Sequence, residues 1–178
     1  MIKAIAIIGI IFAVVLAGIL IFATTKPDTF RVHRATSIKA PPEKIYALIN
    51  DLHNWGSWSP YEKKDPAMKK TFSGPASGKG AVYGWDGDRN VGKGRMEIAE
   101  TVPPSKIVIK LDFIKPFEGH NIVEFTLAPK GDATEVAWGM QGPVPYVAKI
   151  MHVFFDMDSM IGKDFEAGLA NLKTVAEK

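Results

Sequence analysis

Alternating apolar and polar positions run through the middle of the chain and predict a series of short β-strands. Ile107, Ile109, Leu111 and Phe113 are apolar and alternate with Lys106, Lys110 and Asp112. Because successive side chains of a strand point to opposite faces, this pattern is typical of an antiparallel sheet with one face in water. Similar runs, separated by turn-rich segments, predict seven strands: Phe30–Ile38, Lys69–Ser73, Ala81–Asp86, Gly94–Val102, Lys106–Phe113, His120–Ala128 and Thr134–Gln141.

The C-terminal segment has helical spacing instead. Its apolar residues recur every three or four positions, which predicts a helix over Ser159–Lys178 with one apolar stripe. The helical region begins near Pro145, and Asp156–Ser159 divides it into a short first piece and the long closing piece. The stripe consists of Ile161, Phe165, Leu169, Leu172, Val175 and Ala176.

A single earlier helix begins at Ala40-Pro41-Pro42-Glu43, where proline suits the first turn. The predicted order is therefore strand, helix, six strands and a long terminal helix. A sheet with one apolar face needs a covering layer, and the closing helix is the longest stripe available. We expect an α+β domain in which a curved antiparallel sheet wraps around this helix, with a pocket for an apolar ligand between them.

The first residues form a separate unit. Ala4–Ala23 is a run of twenty uncharged residues, which as a helix spans about 30 Å, the thickness of a bilayer's hydrocarbon core. A cleavable signal peptide is the alternative, but its apolar region is usually about 7–15 residues long. The acceptable small residues, Val15 and Ala17, would place cleavage inside the run. We therefore predict a single-pass anchor over residues 1–28, membrane contact through residues 4–23, and a folded domain over residues 29–178.

The side of the membrane stays open. Four basic residues after the span outnumber Lys3 before it, which favours a cytoplasmic domain. The short basic start before an apolar run is, however, typical of a secretory signal. Of the two orientations we favour an extracytoplasmic domain.

Charge and composition exclude several classes. The formal net charge is only +3, and no cluster of basic residues predicts a nucleic-acid partner. The chain has no cysteine, which excludes disulfides, thiolate catalysis and cysteine-ligated metals.

Several motifs resemble one family. They are Ala40–Glu43, Trp55-Gly-Ser-Trp58-Ser-Pro60, Gly78–Trp85 and Gly162–Leu172. Together with the element order, they are similar to the START-like superfamily known as SRPBCC, in a bacterial polyketide cyclase/dehydrase-type branch with an N-terminal anchor. The resemblance implies the helix-grip fold, a cavity that binds lipids or other hydrophobic molecules, and a bacterial inner-membrane location. Some members are cyclases, but no universal catalytic motif can be carried over.

Aromatic residues give the main prediction for a binding site. We expect the rings to meet around the grip, where tryptophan N–H groups and a tyrosine hydroxyl supply polar contacts. An ordinary aromatic core is the alternative. The predicted ligand-binding residues are Trp58, Tyr83, Trp85, Trp138, Phe154 and Phe165.

Catalytic candidates are fewer. Glu118, His120 and Glu124 lie close together in sequence, and His120, Glu124 and Thr126 share one strand face. An acid–base pair there could serve a cyclase, whereas a solvated outer face is the alternative. The serine-nucleophile motif G-x-S-x-G does not occur.

Two further motifs are incomplete. Asp86–Gly92 with Glu97 resembles a calcium loop, but Val91 stands where the turn needs glycine, and strands rather than helices flank it. The glycine-rich segment Gly74–Gly80 lacks the serine or threonine and the following helix of a phosphate loop. We interpret both as connections between strands, and we expect no metal and no cofactor.

Three functions follow as hypotheses. The first is a membrane-anchored binding domain for a hydrophobic small molecule or lipid. The second is a cyclase or dehydratase-like enzyme that uses Glu118, His120 or Glu124 beside the cavity. The third is a non-catalytic interaction module whose core is filled.

Overall fold

The computed structural model of the chain describes residues 2–178 and is built on one seven-stranded antiparallel sheet. All seven predicted strands are present, most of them longer by one or two residues at their ends. Their bounds are β1 Thr29–Ile38, β2 Lys69–Ser73, β3 Val82–Asp86, β4 Lys93–Val102, β5 Lys106–Lys115, β6 Gly119–Lys130 and β7 Ala133–Pro143.

The strands are arranged in the order β1-β7-β6-β5-β4-β3-β2. Strands β2 to β7 each pair with their neighbour in sequence, as short connections predict. Strand β1 instead joins the far edge beside β7, with Thr29 opposite Pro143 and Ile38 opposite Thr134. As a result, β1 and β2, which follow each other in sequence, form the two opposite edges of the sheet.

Within residues 2–178, five α-helices and one 3-10 helix complete the fold. Helix α2 begins at Pro42, as the proline pair predicts, and its buried residues Ile45 and Ile49 face the sheet. The helices are α1 Ile2–Thr24, α2 Pro42–Asn50, a 3-10 helix at Leu52–Ser57, α3 Tyr61–Lys64, α4 Tyr146–Phe154 and α5 Met157–Ala176.

Two details differ from the sequence prediction. The predicted single early helix is followed by the 3-10 helix and by α3, which are too short for a periodic signal. Helix α5 begins at Met157, so the break before it lies at Phe155 and Asp156. The Asp156 carboxylate accepts a hydrogen bond from the Asp158 backbone N–H at 3.1 Å, which caps the helix.

Helix α5 covers the β1 edge of the sheet, whereas α2 and the 3-10 helix cover its centre. At its C-terminal end, the Lys173 ammonium donates to the Ser37 carbonyl at 2.7 Å, and the Lys39 backbone N–H donates to the Glu177 carboxylate at 2.7 Å. We call the sheet face turned toward α2 and α5 the inner face. Its fully buried side chains include Ile38, Ile98, Ile107, Ile109, Phe125 and Val136.

Helix α1 precedes β1 and lies outside this packing over most of its length. Its stretch Ile5–Thr24 is long and apolar enough to cross a membrane, a property that signal sequences share, and it is exposed except in its last turns. We call the end of the sheet at which β1 begins the anchor end. Because the strands are antiparallel, the β3–β4 and β5–β6 turns also lie at this end.

Candidate functional site

Aromatic rings from β6, β7, α5 and the region of the 3-10 helix meet on the inner face. Alternation along β7 turns Trp138 inward, and the helical stripe of α5 turns Phe165 toward it. Their rings stack with 4.1 Å between centroids. Trp58 and Phe125 lie 5.7 Å and 5.0 Å from the Trp138 ring, and Trp55 lies 4.8 Å from Trp58. The rings therefore fill the space where helix and sheet meet.

The three indole N–H groups of this cluster differ in their partners. Trp55 Nε1 donates to the Ile49 carbonyl at 2.9 Å, and Trp58 Nε1 donates to the Leu48 carbonyl at 3.1 Å. Trp138 Nε1 is buried and has no hydrogen-bond partner among the described residues. A buried donor without a partner carries a desolvation cost, so an acceptor placed beside Trp138 would be stabilised.

Strand β3 supplies the next two predicted residues. The Tyr83 hydroxyl donates to the Glu62 carboxylate at 2.7 Å. Burial, followed by the contact with the Glu62 carboxylate, raises the pKa of Tyr83, so this hydroxyl stays protonated at neutral pH. The Trp85 ring lies above Gly94, where a Cβ atom would come within 2.4 Å of it.

Phe154 does not join the other five predicted ligand-binding residues. It lies on α4, and 62% of its surface is exposed. The structure brings Trp58, Trp138 and Phe165 into one cluster and holds Tyr83 and Trp85 beside each other on β3, with 6.1 Å between their ring centroids.

The inner face becomes more exposed toward the anchor end. On β5, Ile107 and Ile109 are fully buried, whereas Leu111 and Phe113, further along the same face, are only half-buried. Phe30 at the start of β1 and Trp85 at the end of β3 are also half-buried. The apolar interior therefore opens at the end of the sheet that adjoins α1.

Two of the catalytic candidates, His120 and Glu124, lie on the opposite, outer face, and Glu118 lies beside His120 in the β5–β6 turn. His120 Nδ1 is 2.8 Å from the Asp112 carboxylate, and this hydrogen bond raises the pKa of His120. Glu118 lies 3.4 Å from His120 Nε2, whereas Glu124 pairs with the Lys106 ammonium at 3.1 Å. The sheet separates His120 and Glu124 from the aromatic cluster, which contradicts their predicted position beside a cavity between sheet and helix.

Two cavities open on the surface, and neither is lined by the rings of the aromatic cluster. One, of about 280 Å³, lies between the 3-10 helix and the β2–β3 loop, where the His53 ring stacks on Phe72 at 4.1 Å. The other, of about 310 Å³, lies on the outer face and includes Arg31, His33 and Glu124. Both have volumes near the lower limit of small-molecule sites.

The two incomplete motifs form strand connections. Asp86 pairs with Lys93 at 2.8 Å, and the Asp88 carboxylate accepts from the Asn90 backbone N–H at 2.7 Å, so the calcium-like segment is a hydrogen-bonded hairpin loop. Across residues 2–178, no three His, Asp or Glu side chains lie close enough to hold a metal ion. The segment Gly74–Gly80 joins β2 to β3 and contributes to the smaller cavity.

Sequence reasoning missed Glu62 and the opening at Leu111 and Phe113. Glu62 lies in the four-residue helix α3, where no periodic pattern marks it. The alternation of β5 identifies the face of Leu111 and Phe113, but only the packing of the helices shows that this part of the face is open.

Comparison with known proteins agrees with this architecture. The sequence model of the family described as "Polyketide cyclase / dehydrase and lipid transport" matches residues 29–177. No curated protein matches the chain.

Solved structures share the fold at low sequence identity. Protein CV1439 from Chromobacterium violaceum is 20% identical with a TM-score of 0.59, and the match covers 86% of this chain and 99% of that one. The ginseng major latex-like protein 151 from Panax ginseng is 12% identical with a TM-score of 0.59, over 85% and 100% of the two chains. The di-domain ARO/CYC BexL from the BE-7585A biosynthetic pathway is 15% identical with a TM-score of 0.63, over 89% of this chain and 53% of that one.

Proposed function

Since the chain belongs to the polyketide cyclase / dehydrase and lipid transport family, we propose that it is a membrane-anchored binding domain for a hydrophobic small molecule or lipid. Residues 1–28 form the anchor and residues 29–178 form the binding domain. The motifs in the sequence indicated a resemblance to the START-like proteins, and this resemblance agrees with the family match. An apolar space between a curved sheet and a helix implies the proposed function.

The observation that carries the proposal is the gradient of exposure along the inner face. Ile107 and Ile109 are buried, whereas Leu111 and Phe113 are half-buried at the anchor end. An apolar molecule that covers these side chains gains about 25 cal/mol for each Å² of apolar surface removed from water, less the cost of ordering the complex. The opening lies at the anchor end of the sheet, so a ligand that enters from lipid reaches it first.

Two polar groups would orient the ligand. The unpartnered Trp138 Nε1 can donate to a ligand oxygen deeper in the grip. The Tyr83 hydroxyl already donates to Glu62, so it is available to a ligand as an acceptor. Few polar contacts in an apolar site give orientation rather than most of the affinity. We propose Trp58, Tyr83, Trp85, Trp138 and Phe165 as the lining residues from the predicted set.

The packing of the rings favours a second candidate. Trp58, Trp138 and Phe165 contact one another, as expected of a non-catalytic interaction module with a filled core. A ligand that reaches Trp138 has to displace these rings, whereas a ligand at Leu111 and Phe113 does not. Ligand binding at the anchor end therefore distinguishes the two candidates.

The test is native mass spectrometry of the detergent-purified full chain, in search of a co-purifying lipid. A carboxylate placed in the opening by Leu111→Asp should reduce the bound fraction by about tenfold, since an apolar ligand cannot solvate a charge. The matched control is Ile122→Asp, at nearly the same level of the sheet but on the outer face, where 38% of its surface is exposed.

Lipids that adhere to α1 should be the same in both variants, and near-UV circular dichroism checks that both are folded. Equal lipid occupancy in the two folded variants, or no bound lipid in the natural chain, would contradict the binding function and favour the filled-core module.

A further inference from the structure

Helix α4 exposes an apolar face without a charged side chain. Val147, Met151 and Phe154 recur at the spacing of one helical face, and they are 66%, 43% and 62% exposed. The lysine of this helix, Lys149, points away from that face; it is buried and pairs with the Asp28 carboxylate. A helix that turns its cation inward and its apolar side chains outward is not built to face water.

Contacts with the end of α1 determine the position of α4 along the axis of α1. The Tyr146 hydroxyl donates to the Leu20 carbonyl at 2.9 Å, and Ala23 is fully buried. Leu20 precedes the last residue of α1, Thr24, by four positions, which is about 6 Å along a helix. The start of α4 therefore lies level with the last turns of the apolar stretch Ile5–Thr24, not beyond it.

The β5–β6 turn exposes an apolar side chain and projects in the same direction. Phe117 in this turn is 65% exposed, and Ile114 near the end of β5 is 49% exposed. Gln141 pairs with both Arg31 and Ile122. Phe117 precedes Ile122 by five residues, whereas β1 begins only two residues before Arg31, so this turn extends past the start of β1 toward the anchor.

We propose that α4 and the β5–β6 turn form a second membrane contact, with the lipid bilayer as its occupant. Val147, Met151, Phe154 and Phe117 enter the boundary between headgroups and acyl chains. The inference rests on the anchor part of the proposed function. Lipid is favoured over a protein partner because this face is continuous with the end of the proposed anchor, and because a helix that exposes an apolar face beside a membrane span lies in the membrane interface.

The contact gives the domain a fixed orientation. A single spanning helix leaves the attached domain free to rotate and tilt. A second contact, formed by α4 beside the end of α1 and by the β5–β6 turn, lays the anchor end of the sheet against lipid. The half-buried Leu111 and Phe113 then face the bilayer.

The absence of cysteine from the sequence makes a direct test possible. Single cysteines are introduced by Val147→Cys, Met151→Cys, Phe154→Cys and Phe117→Cys in the full chain. Each is spin-labelled and reconstituted into phosphatidylcholine vesicles. Electron paramagnetic resonance then compares the accessibility of each label to oxygen, which partitions into lipid, with its accessibility to a water-soluble nickel chelate.

Two further labels calibrate the measurement. Phe12→Cys lies in the middle of α1, and Asp132→Cys lies in the exposed β6–β7 turn at the opposite end of the sheet. We expect the labels at 147, 151, 154 and 117 to favour oxygen, with a ratio between those of the two reference labels and at least about threefold above that of position 132.

Suppose that the labels at positions 147, 151 and 154 give the same accessibility ratio as the label at position 132, while the label at position 12 reports lipid. This result would overturn the second contact and leave the anchor intact. A water-exposed label at position 12 would overturn the anchor and the second contact together. All labelled positions on α4 and the β5–β6 turn are surface positions in the described chain, so the labels do not disturb the core.

Discussion

The phenyl ring of Phe165 stacks on the indole of Trp138, with 4.1 Å between centroids and 10° between planes. This contact joins α5 to β7, and both residues are 2% exposed. Phe165→Ala removes the ring and leaves a cavity, so we expect a loss of about 3–5 kcal/mol in the free energy of unfolding. Urea unfolding in detergent micelles, followed by tryptophan fluorescence, measures it.

Phe154→Ala is the matched control, because the same side chain is deleted from an exposed position. If Phe165→Ala lowered the free energy of unfolding as little as Phe154→Ala, this ring pair would not hold α5 to the sheet.

Close packing at Gly168 gives a second prediction. A Cβ atom on this residue would lie 2.6 Å from the Trp138 ring and 3.0 Å from Pro60. Gly168→Ala should therefore destabilise the domain by about 1–3 kcal/mol, although alanine favours helix, because the overpacked core must shift. The control is Gly56→Ala, where no atom lies within 4 Å of the added Cβ. Thermal unfolding of the two variants should differ in this direction, and equal stability would contradict the packing described for α5.

The ion pairs of Arg34 predict an acid-sensitive link between β1 and α5. Arg34 lies 2.9 Å from the Asp158 carboxylate and 2.7 Å from the Glu166 carboxylate. The hydrogen bond from Arg34 lowers the pKa of Asp158. A carboxylate with a lowered folded pKa contributes stability above its ordinary pKa, and this contribution is lost as the pH falls through the folded value.

We therefore expect stability to decrease below about pH 4, near the ordinary pKa of aspartate. The decrease should be larger in the natural chain than in the Asp158→Asn variant. Melting temperatures measured from pH 7 to pH 3 test this, with Asp132→Asn at an exposed turn as the control. A parallel decrease in the natural chain and in Asp158→Asn would show that the pair does not contribute.

The hydrogen bond between His120 and Asp112 predicts the direction in which the pKa of His120 is shifted. The hydrogen bond with Asp112 raises the pKa of His120, so the stability that it contributes is present below the ordinary histidine pKa of about 6.5 and is lost as the pH rises through the raised value. Asp112→Asn should bring the pKa of His120 back toward the ordinary value. Glu124→Gln should leave it unchanged, because Glu124 pairs with Lys106. Proton NMR of the imidazole distinguishes these outcomes. A change in the pKa of His120 caused by Glu124→Gln would support the predicted acid–base pair of His120 and Glu124.

The enzymatic alternative makes a separate prediction. If the chain were a cyclase that uses the outer-face groups, the double variant His120→Ala/Glu124→Ala would lose turnover of a polyketide substrate. Because these residues lie across the sheet from the aromatic cluster, we expect unchanged lipid occupancy and no loss of turnover. Occupancy is measured by native mass spectrometry and turnover by product analysis. A loss of turnover with unchanged occupancy would favour the enzyme.

The local pattern of the sequence was sufficient for the strands and the longer helices, but not for the 3-10 helix and α3. Alternation in Ile107–Phe113 predicted strand β5, and the spacing from Ile161 to Ala176 predicted α5, because these periodicities report which side chains share a face. The Pro41-Pro42 pair likewise marked the start of α2. The pairing of β2 to β7 in order follows from the short segments that connect these strands.

Tertiary structure alone decided how these elements combine. The pairing of β1 with β7 joins segments about a hundred residues apart, and no local pattern specifies it. Phe154 and Phe165 look alike in sequence, since both are aromatic residues in an apolar helical stripe. Phe165 is buried and Phe154 is exposed because α5 packs on the sheet while α4 packs on the end of α1. Periodicity identifies an apolar face, but only long-range packing determines whether protein or another environment covers it.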